Sequence, residues 1–155
     1  MKSLIVLVSY HHNNTQKVAE VIAKVLDAQI KTPQQTNPEE LQGYYLVGFG
    51  SGIYGGKAHK EMLKLADNLP QVTNKKAFIF STSGGGTVQY MAKTHKLLKE
   101  KLQTKGYIIV DEFSCKGFNT FAFLRLFGGM NKGRPNTDDL KLAEEFSMNL
   151  MDNKN

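Results

Sequence analysis

Residues 3–15 read SLIVLVSYHHNNT, a short apolar run that turns abruptly polar. The run Ser3–Val8 is rich in β-branched residues, and a continuous apolar run of this length predicts a strand that is covered on both faces. From Thr15 onward, apolar residues recur at three- and four-residue spacing as far as Leu26, which predicts an amphipathic helix. The stretch therefore predicts a strand joined to a helix by a short polar loop.

The same alternation of strand and helix continues along the chain. Further strands are predicted at residues 44–49, 77–80 and 107–113, with a weaker one at 29–31. Helices are predicted at residues 57–69, 88–102 and 138–150, with a short one at 38–42. This order predicts an α/β fold: a three-layer α-β-α sandwich around a five-stranded parallel sheet, formed as a single domain over residues 1–155.

Composition excludes several classes of protein. The 155 residues are 41% hydrophobic, which argues against a disordered chain, and a lone cysteine, Cys115, excludes an internal disulfide or a multi-cysteine zinc site. No apolar run is long enough to span a membrane. We expect a cytoplasmic protein without membrane insertion, and the net charge of +6 favours acidic partners or phosphates.

The polar loop after the first strand is a candidate phosphate site. Ligands of open parallel sheets bind beyond the carboxyl ends of the strands, and the free N–H groups at a helix start attract anions. The alternative is an ordinary helix cap at Asn14 or Thr15 with two surface histidines, His11 and His12. Because no third ligand has a suitable spacing, we predict no metal site.

The glycine-rich stretch 48–57 follows the next predicted strand. Gly50, Gly52 and Gly55 match the dinucleotide pattern G-x-G-x-x-G, but the pattern belongs after the first strand and needs a later acidic residue. A P-loop is excluded because Ala58 stands where the hydroxyl residue belongs. We expect a flexible loop that approaches a flat ligand, with Tyr54 free to stack on it. A plain glycine-rich turn is the alternative, with Tyr54 packed on the following helix.

The remaining strand ends carry no recognisable catalytic set. Residues 81–87 are small and polar before a helix capped at Thr87, and Cys115 lacks the arginine of the phosphatase spacing C-x5-R, since Phe121 stands there. Cys115 is interpreted as a buried or bystander thiol in preference to a catalytic one. No catalytic residue is predicted. Residues 119–136 are expected to be irregular and packed against the domain, or to form a short helix over the sheet edge.

Taken together, the loops resemble the flavodoxin family. The resemblance is carried by SYHHNNTQKVA at 9–19, GFGSGIY at 48–54, FSTSG at 80–84 and GRPNTDDL at 133–140. It implies the strand order 2-1-3-4-5, FMN as cofactor and electron transfer between redox partner proteins. It also implies cofactor-binding positions at Ser9, His11, His12, Asn13, Asn14, Thr15, Ser51, Gly52, Ile53, Tyr54, Thr82, Ser83, Gly84, Gly85, Cys115, Lys116, Gly117 and Phe118.

By this resemblance, the first loop would hold the FMN phosphate, residues 51–54 one side of the isoalloxazine ring, and residues 82–85 its other edge. Residues 115–118 would approach the ring or the ribityl chain. Two features depart from the family pattern. The loop after the fourth main strand contains glycines where many flavodoxins place an aromatic residue, and the chain is basic where typical flavodoxins are acidic.

These departures leave three functions open. An FMN-dependent electron carrier that docks on acidic partner surfaces is favoured over a stand-alone enzyme. The alternative is an FMN-dependent NAD(P)H reductase or dehydrogenase that acts on a quinone- or porphyrinogen-like substrate over an open flavin face. A cofactor-free module that binds nucleic acid is disfavoured, because the lysines are not interleaved with stacking aromatic residues.

Overall fold

The computed structural model describes residues 2–85, 88–118 and 128–152. Six strands are present in this part: β1 Ser3–Val8, β2 Ala28–Lys31, β3 Leu46–Tyr54, β4 Lys57–Ala58, β5 Lys75–Ser83 and β6 Tyr107–Lys116. The α-helices are α1 Asn14–Leu26, α2 Lys60–Asn68, α3 Val88–Thr94, α4 Lys96–Thr104 and α5 Thr137–Asp152. Two 3₁₀ turns, Pro33–Gln35 and Pro38–Gly43, connect β2 to β3.

Five of the strands form one parallel sheet in the order β2-β1-β3-β5-β6. The short β4 is extra and pairs antiparallel with the end of β3. Apart from β4, this is the predicted order 2-1-3-4-5, and the predicted α/β fold is confirmed. The register sets Val8 beside Ser51 and Gly52 beside Thr82, so the carboxyl ends of β1, β3 and β5 meet at one edge of the sheet.

Successive residues of the buried strands point to opposite faces of the sheet, and each face is covered by helices. One core cluster joins alternate residues of β1 to helices α2 and α4 through Leu4, Val6, Met62, Ala66, Leu98 and Leu102. The second joins the intervening residues to α1 and α5 through Ile5, Leu7, Val18, Ile22, Ala143 and Phe146. The predicted three layers follow directly from this division of the apolar run.

Three predicted helices differ from the structure. The short helix predicted at 38–42 is a 3₁₀ helix, Pro38–Gly43. The helix predicted at 57–69 begins at Lys60, because Lys57–Ala58 is the strand β4. The helix predicted at 88–102 is divided into α3 and α4 at His95, whose Nε2 lies 2.7 Å from Ser81 Oγ and 3.2 Å from Ser114 Oγ. Only 3% of the His95 surface is exposed. The predicted helix is thus interrupted at a buried residue whose ring forms a polar link to β5 and β6.

Thr87 and the first half of the irregular stretch, residues 119–127, lie outside the described residues. From Gly128 to Asn136 the chain is irregular up to the start of α5, as predicted. No helix within the described parts of the chain is long and apolar enough to cross a membrane.

Candidate functional site

A cavity of about 330 Å³ lies at the carboxyl ends of β1, β3 and β5. This is the edge at which open parallel sheets bind their ligands, and the volume lies within the ~300–1,000 Å³ typical of ligand pockets. The cavity is lined by Ser9, Tyr10, His11, Asn14, Thr15, Gly52, Ile53, Tyr54, Gly55, Thr82, Ser83, Gly84 and Phe118. Among these described residues there is no lysine, arginine, aspartate or glutamate, so hydroxyls, amides and aromatic rings dominate the wall.

The start of α1 forms the floor of the cavity. Its N-cap residue, Asn13, has a left-handed backbone (φ 53°) and makes no side-chain cap, so the alternative of an ordinary cap at Asn14 or Thr15 is wrong. The Ser9 hydroxyl accepts a 3.0 Å hydrogen bond from Gln16 N–H instead, which leaves the Ser9 O–H free to donate. A helix start with additional hydroxyl donors is suited to an anion.

A pair of threonines closes this floor against β5. Thr15 Oγ1 lies 2.9 Å from Thr82 Oγ1, and both side chains are buried. Because one hydroxyl donates to the other, one of the two O–H groups remains available to a ligand. The contact also fixes α1 to the end of β5.

Asn14 is the buried polar group that points most clearly to a ligand. Its Nδ2 donates a 2.8 Å hydrogen bond to the Phe118 carbonyl oxygen, which sets the orientation of the amide. Its Oδ1 is buried and has no hydrogen-bond partner among the described residues. An unpaired buried acceptor costs about 1–3 kcal/mol, so a ligand hydroxyl that donates to Asn14 Oδ1 would be favoured.

The stretch predicted as a flexible loop is a β-hairpin. Strand β3 continues to Tyr54, and Gly55 (φ 57°) and Gly56 (φ 77°) form the turn into β4. Two successive positive φ angles are those of a type I′ turn, whose twist matches the flanking strands. The hairpin holds Ile53 and Tyr54 at the cavity wall, so residues 51–54 belong to a strand rather than to the expected loop.

Two of the quoted glycines serve packing rather than ligand approach. A Cβ atom on Gly48 would lie 2.3 Å from the Phe78 ring, and one on Gly50 would lie 2.1 Å from the Phe80 ring. Both phenylalanines are fully buried on the neighbouring strand β5. The repeated glycines of β3 therefore make room for two core aromatic rings.

The mouth of the cavity carries an aromatic cluster that we call the tyrosine wall: Tyr10, Tyr54 and His59. The His59 ring packs edge-on against Tyr10 (centroids 5.3 Å apart) and Tyr54 (5.0 Å). The Tyr10 hydroxyl donates a 2.7 Å hydrogen bond to Glu61 Oε2, and this bond raises the pKa of Tyr10. Burial raises the pKa of Tyr54. Both phenols are thus neutral at physiological pH.

The far side of the cavity is fixed by main-chain hydrogen bonds. Gly117 N–H donates to the Ser83 carbonyl oxygen (2.9 Å), and Phe118 N–H donates to that of Arg134 (2.8 Å). Asn131 Nδ2 donates to the Gly84 carbonyl oxygen at 2.8 Å. Arg134 forms a two-point ion pair with the buried carboxylate of Asp139, which raises the pKa of Arg134. The segment 131–134 thereby positions both the β5 and β6 loops.

Many of the predicted cofactor positions line this cavity together: Ser9, His11, Asn14, Thr15, Gly52, Ile53, Tyr54, Thr82, Ser83, Gly84 and Phe118. The others, which do not line it, are His12, Asn13, Ser51, Gly85, Cys115, Lys116 and Gly117. Tyr10 and Gly55 line the cavity and were not among the predicted positions. The role of all these residues toward a cofactor stays a prediction.

The predicted positions that do not line the cavity have identifiable contacts. The His12 ring packs against Phe118 at a tilt of 36°, with centroids 4.4 Å apart, and Ser51 Oγ donates to the Gly52 carbonyl oxygen. Cys115 is packed in the core beside α5, and burial raises the pKa of its thiol to about 12. Gly117 lies against Asn14, whose Nδ2 would be 2.6 Å from an added Cβ. Cys115 is therefore the buried thiol that its sequence context favoured.

Comparison with known proteins agrees with this architecture. The Flavodoxin domain family matches residues 5–149. The uncharacterized protein MJ0298 of Methanocaldococcus jannaschii is 48% identical over 153 residues, covering 99% of this chain and 100% of that protein.

Solved structures have the same fold. Oxidised flavodoxin 2 from Bacillus cereus superposes with a TM-score of 0.74 at 17% identity, over 99% of both chains. A flavodoxin from the domain Archaea gives a TM-score of 0.64 at 16% identity, over 99% of this chain and 98% of that one. With the family match over residues 5–149, the chain belongs to the flavodoxin domain family, whose members bind FMN and transfer electrons to partner proteins.

Proposed function

We propose that this chain binds FMN in the cavity at the ends of β1, β3 and β5 and carries electrons between redox partner proteins. The observation that carries the proposal is the unpaired, buried Asn14 Oδ1 in a cavity wall made of neutral donors. FMN combines an anionic phosphate, a chain of hydroxyl groups and a flat ring. The wall of the cavity offers a counterpart to each of these three parts.

The residues fit FMN part by part. The start of α1, with the hydroxyls of Ser9 and Thr15, would hold the phosphate. Asn14 Oδ1, an acceptor, suits a ribityl hydroxyl better than a phosphate oxygen, so we assign it to the ribityl chain. Ile53, Tyr54 and Tyr10 would contact the ring. FMN supplies one- and two-electron chemistry when bound, and the residues of the chain bind, orient and tune it.

Charge is the main tuning effect available to this chain. The described cavity wall carries no carboxylate, and the net charge is +6. A positively charged environment stabilises the extra negative charge of reduced FMN, to an extent limited by salt screening. We expect the second one-electron potential of bound FMN to be less negative than in acidic flavodoxins. A redox titration that gives an equally negative potential would contradict this.

Three lysines beside the tyrosine wall form a candidate docking patch for an acidic partner: Lys57, Lys60 and Lys64. All three are exposed, and none forms an ion pair with another described residue. Several lysines of α4 differ, because Lys99 pairs with Glu112 and Lys101 pairs with Asp67. The patch thus retains its charge for a partner, which would steer an acidic protein to the cavity mouth.

The docking patch is tested by the salt dependence of electron transfer. We expect the triple variant Lys57→Gln/Lys60→Gln/Lys64→Gln to reduce a small acidic ferredoxin about tenfold more slowly at low salt, with a flatter salt dependence. Lys24→Gln, at the far end of α1, is the matched control. A triple variant with the rate and salt dependence of the wild type would exclude this patch.

The carrier and reductase functions are separated by one assay on FMN-loaded protein. A carrier oxidises NADPH or NADH only when a flavoprotein reductase is added, whereas an FMN-dependent reductase consumes either one alone. We expect no consumption without the added reductase. Consumption by the purified protein alone, accelerated by a soluble quinone, would overturn the carrier function in favour of the reductase.

A further inference from the structure

We propose that His59 is the positioning residue of the tyrosine wall, and that protonation of its ring loosens this wall and weakens FMN binding. The inference rests on the proposed function, because the wall borders the cavity assigned to FMN. His59 itself does not line the cavity, and it acts through Tyr10 and Tyr54.

The backbone and ring of His59 are both anchored. Its N–H donates a 2.9 Å hydrogen bond to Ser51 Oγ, a buried hydroxyl of β3. Its Nδ1 accepts a 3.2 Å hydrogen bond from Glu61 N–H, so the ring serves as the N-cap of α2. Strand β3 and helix α2 are therefore joined through this one residue at the edge of the cavity.

The ring separates the two tyrosines and contacts both. Tyr54 meets it at an interplanar angle of 80° and Tyr10 at 68°, the edge-to-face arrangement that aromatic pairs favour. Tyr10 comes from the loop after β1 and Tyr54 from the hairpin, so the two have no common secondary-structure element. The His59 ring gives each tyrosine a second support, beside the Tyr10 bond to Glu61 and the contact of the Tyr54 hydroxyl with the backbone N–H groups of Tyr10 and His11.

The capping bond requires an unprotonated Nδ1. A proton there would turn the acceptor into a donor that faces the Glu61 N–H, and it would place positive charge at the start of α2. Four titratable groups face or neighbour the ring: the phenols of Tyr10 and Tyr54, the carboxylate of Glu61 and the ammonium of Lys60. Glu61 is already engaged by Tyr10 and by Gln34 Nε2 (2.9 Å), so its charge is partly compensated.

The direction of the effect follows from the cap. The tyrosine wall is intact while Nδ1 of His59 accepts the Glu61 N–H, and it loosens when acid adds a proton to this nitrogen. FMN affinity has another source of pH dependence near neutral pH, because the phosphate itself titrates there. The test must separate these contributions.

The matched variant is His59→Asn, because an asparagine oxygen caps a helix without titrating. The probes are FMN and riboflavin, which lacks the phosphate, each titrated at pH 8 and pH 5.5. We expect wild-type affinity for both to fall by about threefold to tenfold more than that of His59→Asn, the loss corresponding to one capping bond. An equal pH dependence in the two proteins would overturn the proposal.

A second measurement tests the wall without a ligand. In the flavin-free protein, we expect the ring NMR signals of Tyr10 and Tyr54 to change between pH 8 and pH 5.5, and this change to be absent from His59→Asn. Tyrosine signals that change equally in the two proteins, or in neither, would overturn the inference even if FMN binds. Coupled tyrosine signals in a protein that binds no flavin would instead contradict the proposed function and leave the coupling of His59 established.

Discussion

The Asn14 side-chain amide at the start of α1 donates a 2.8 Å hydrogen bond to the Phe118 carbonyl oxygen beyond β6. The two residues are 104 positions apart in the chain. Only 6% of the Asn14 surface is exposed, and Gly117 packs directly against its amide. This contact joins the loop after the first strand to the loop after the last strand across the cavity.

Replacing Asn14 tests that link and the ligand assignment together. We expect Asn14→Ala to lower the free energy of unfolding by about 1–2 kcal/mol, because the Phe118 carbonyl loses its donor. FMN affinity should fall about tenfold, since the acceptor for a ribityl hydroxyl is lost as well. Urea unfolding and FMN titration measure the two effects.

The control for this change is Asn14→Asp, which keeps the size of the side chain. It places a carboxylate oxygen against the Phe118 carbonyl and a negative charge near the phosphate, so both losses should exceed those of Asn14→Ala. Wild-type FMN affinity in Asn14→Ala would remove Asn14 from the ligand site.

The glycines of β3 give a second prediction, concerning packing. Gly50→Ala should lower the free energy of unfolding by about 1–3 kcal/mol, because its Cβ would lie 2.1 Å from the buried Phe80 ring. Gly43→Ala is the matched control, since nothing lies within 4 Å of its added Cβ. Thermal or urea unfolding of both variants is the measurement, and equal stabilities would show that Gly50 makes no room for Phe80.

The buried thiol gives a third prediction. Burial raises the pKa of Cys115 to about 12, and the nearby Asp139 adds to this effect. At pH 8 the thiolate fraction should be about a thousandfold below that of an exposed cysteine, so a disulfide reagent should react slowly with folded protein and rapidly in urea. Rapid modification of the native protein would place Cys115 at an accessible surface.

The link between His95 and Glu112 gives a fourth prediction. His95 Nδ1 lies 3.4 Å from Glu112 Oε1, and Lys99 Nζ lies 3.0 Å from Oε2. The contact with His95, supported by Lys99, holds the pKa of Glu112 below its usual value. A lowered pKa means that the charged form stabilises the fold above the pKa of an unfolded glutamate, and that this stabilisation is lost as the pH falls through the folded-state pKa.

Glu112→Gln should therefore cost about 1 kcal/mol at pH 7 and progressively less below pH ~4.3, the pKa of an unfolded glutamate. Denaturant unfolding of both proteins at a series of pH values measures the difference. A difference that stays constant from pH 7 into the acid range would show that the charge of Glu112 is not what stabilises the fold.

Sequence patterning predicted the sheet because burial on both faces leaves a continuous apolar run. Strand β1, Ser3–Val8, has the predicted bounds, since polar residues follow it immediately. Strand β3 extends to Tyr54 beyond its predicted end at Phe49, because Ser51 and Gly52 are small and polar although paired in the sheet. The Gly55-Gly56 pair was the available signal for the hairpin.

The cavity was predictable in outline, since each of its loops follows a strand of the parallel sheet. Its supporting contacts were not, because they join residues far apart in sequence. His59 stands immediately before a helix, where an N-cap residue belongs, but only the fold brings Tyr10 beside its ring. The interruption of the helix at His95 depends likewise on Ser81 and Ser114 of other strands.

FMN binding at this cavity is tested by titrating the purified flavin-free protein with FMN. We predict saturable binding of one FMN per chain, with quenching of its fluorescence and a shift of its visible bands, and weaker binding by Asn14→Ala. FMN fluorescence and absorbance that stay unchanged in the presence of folded protein would contradict FMN binding by this chain.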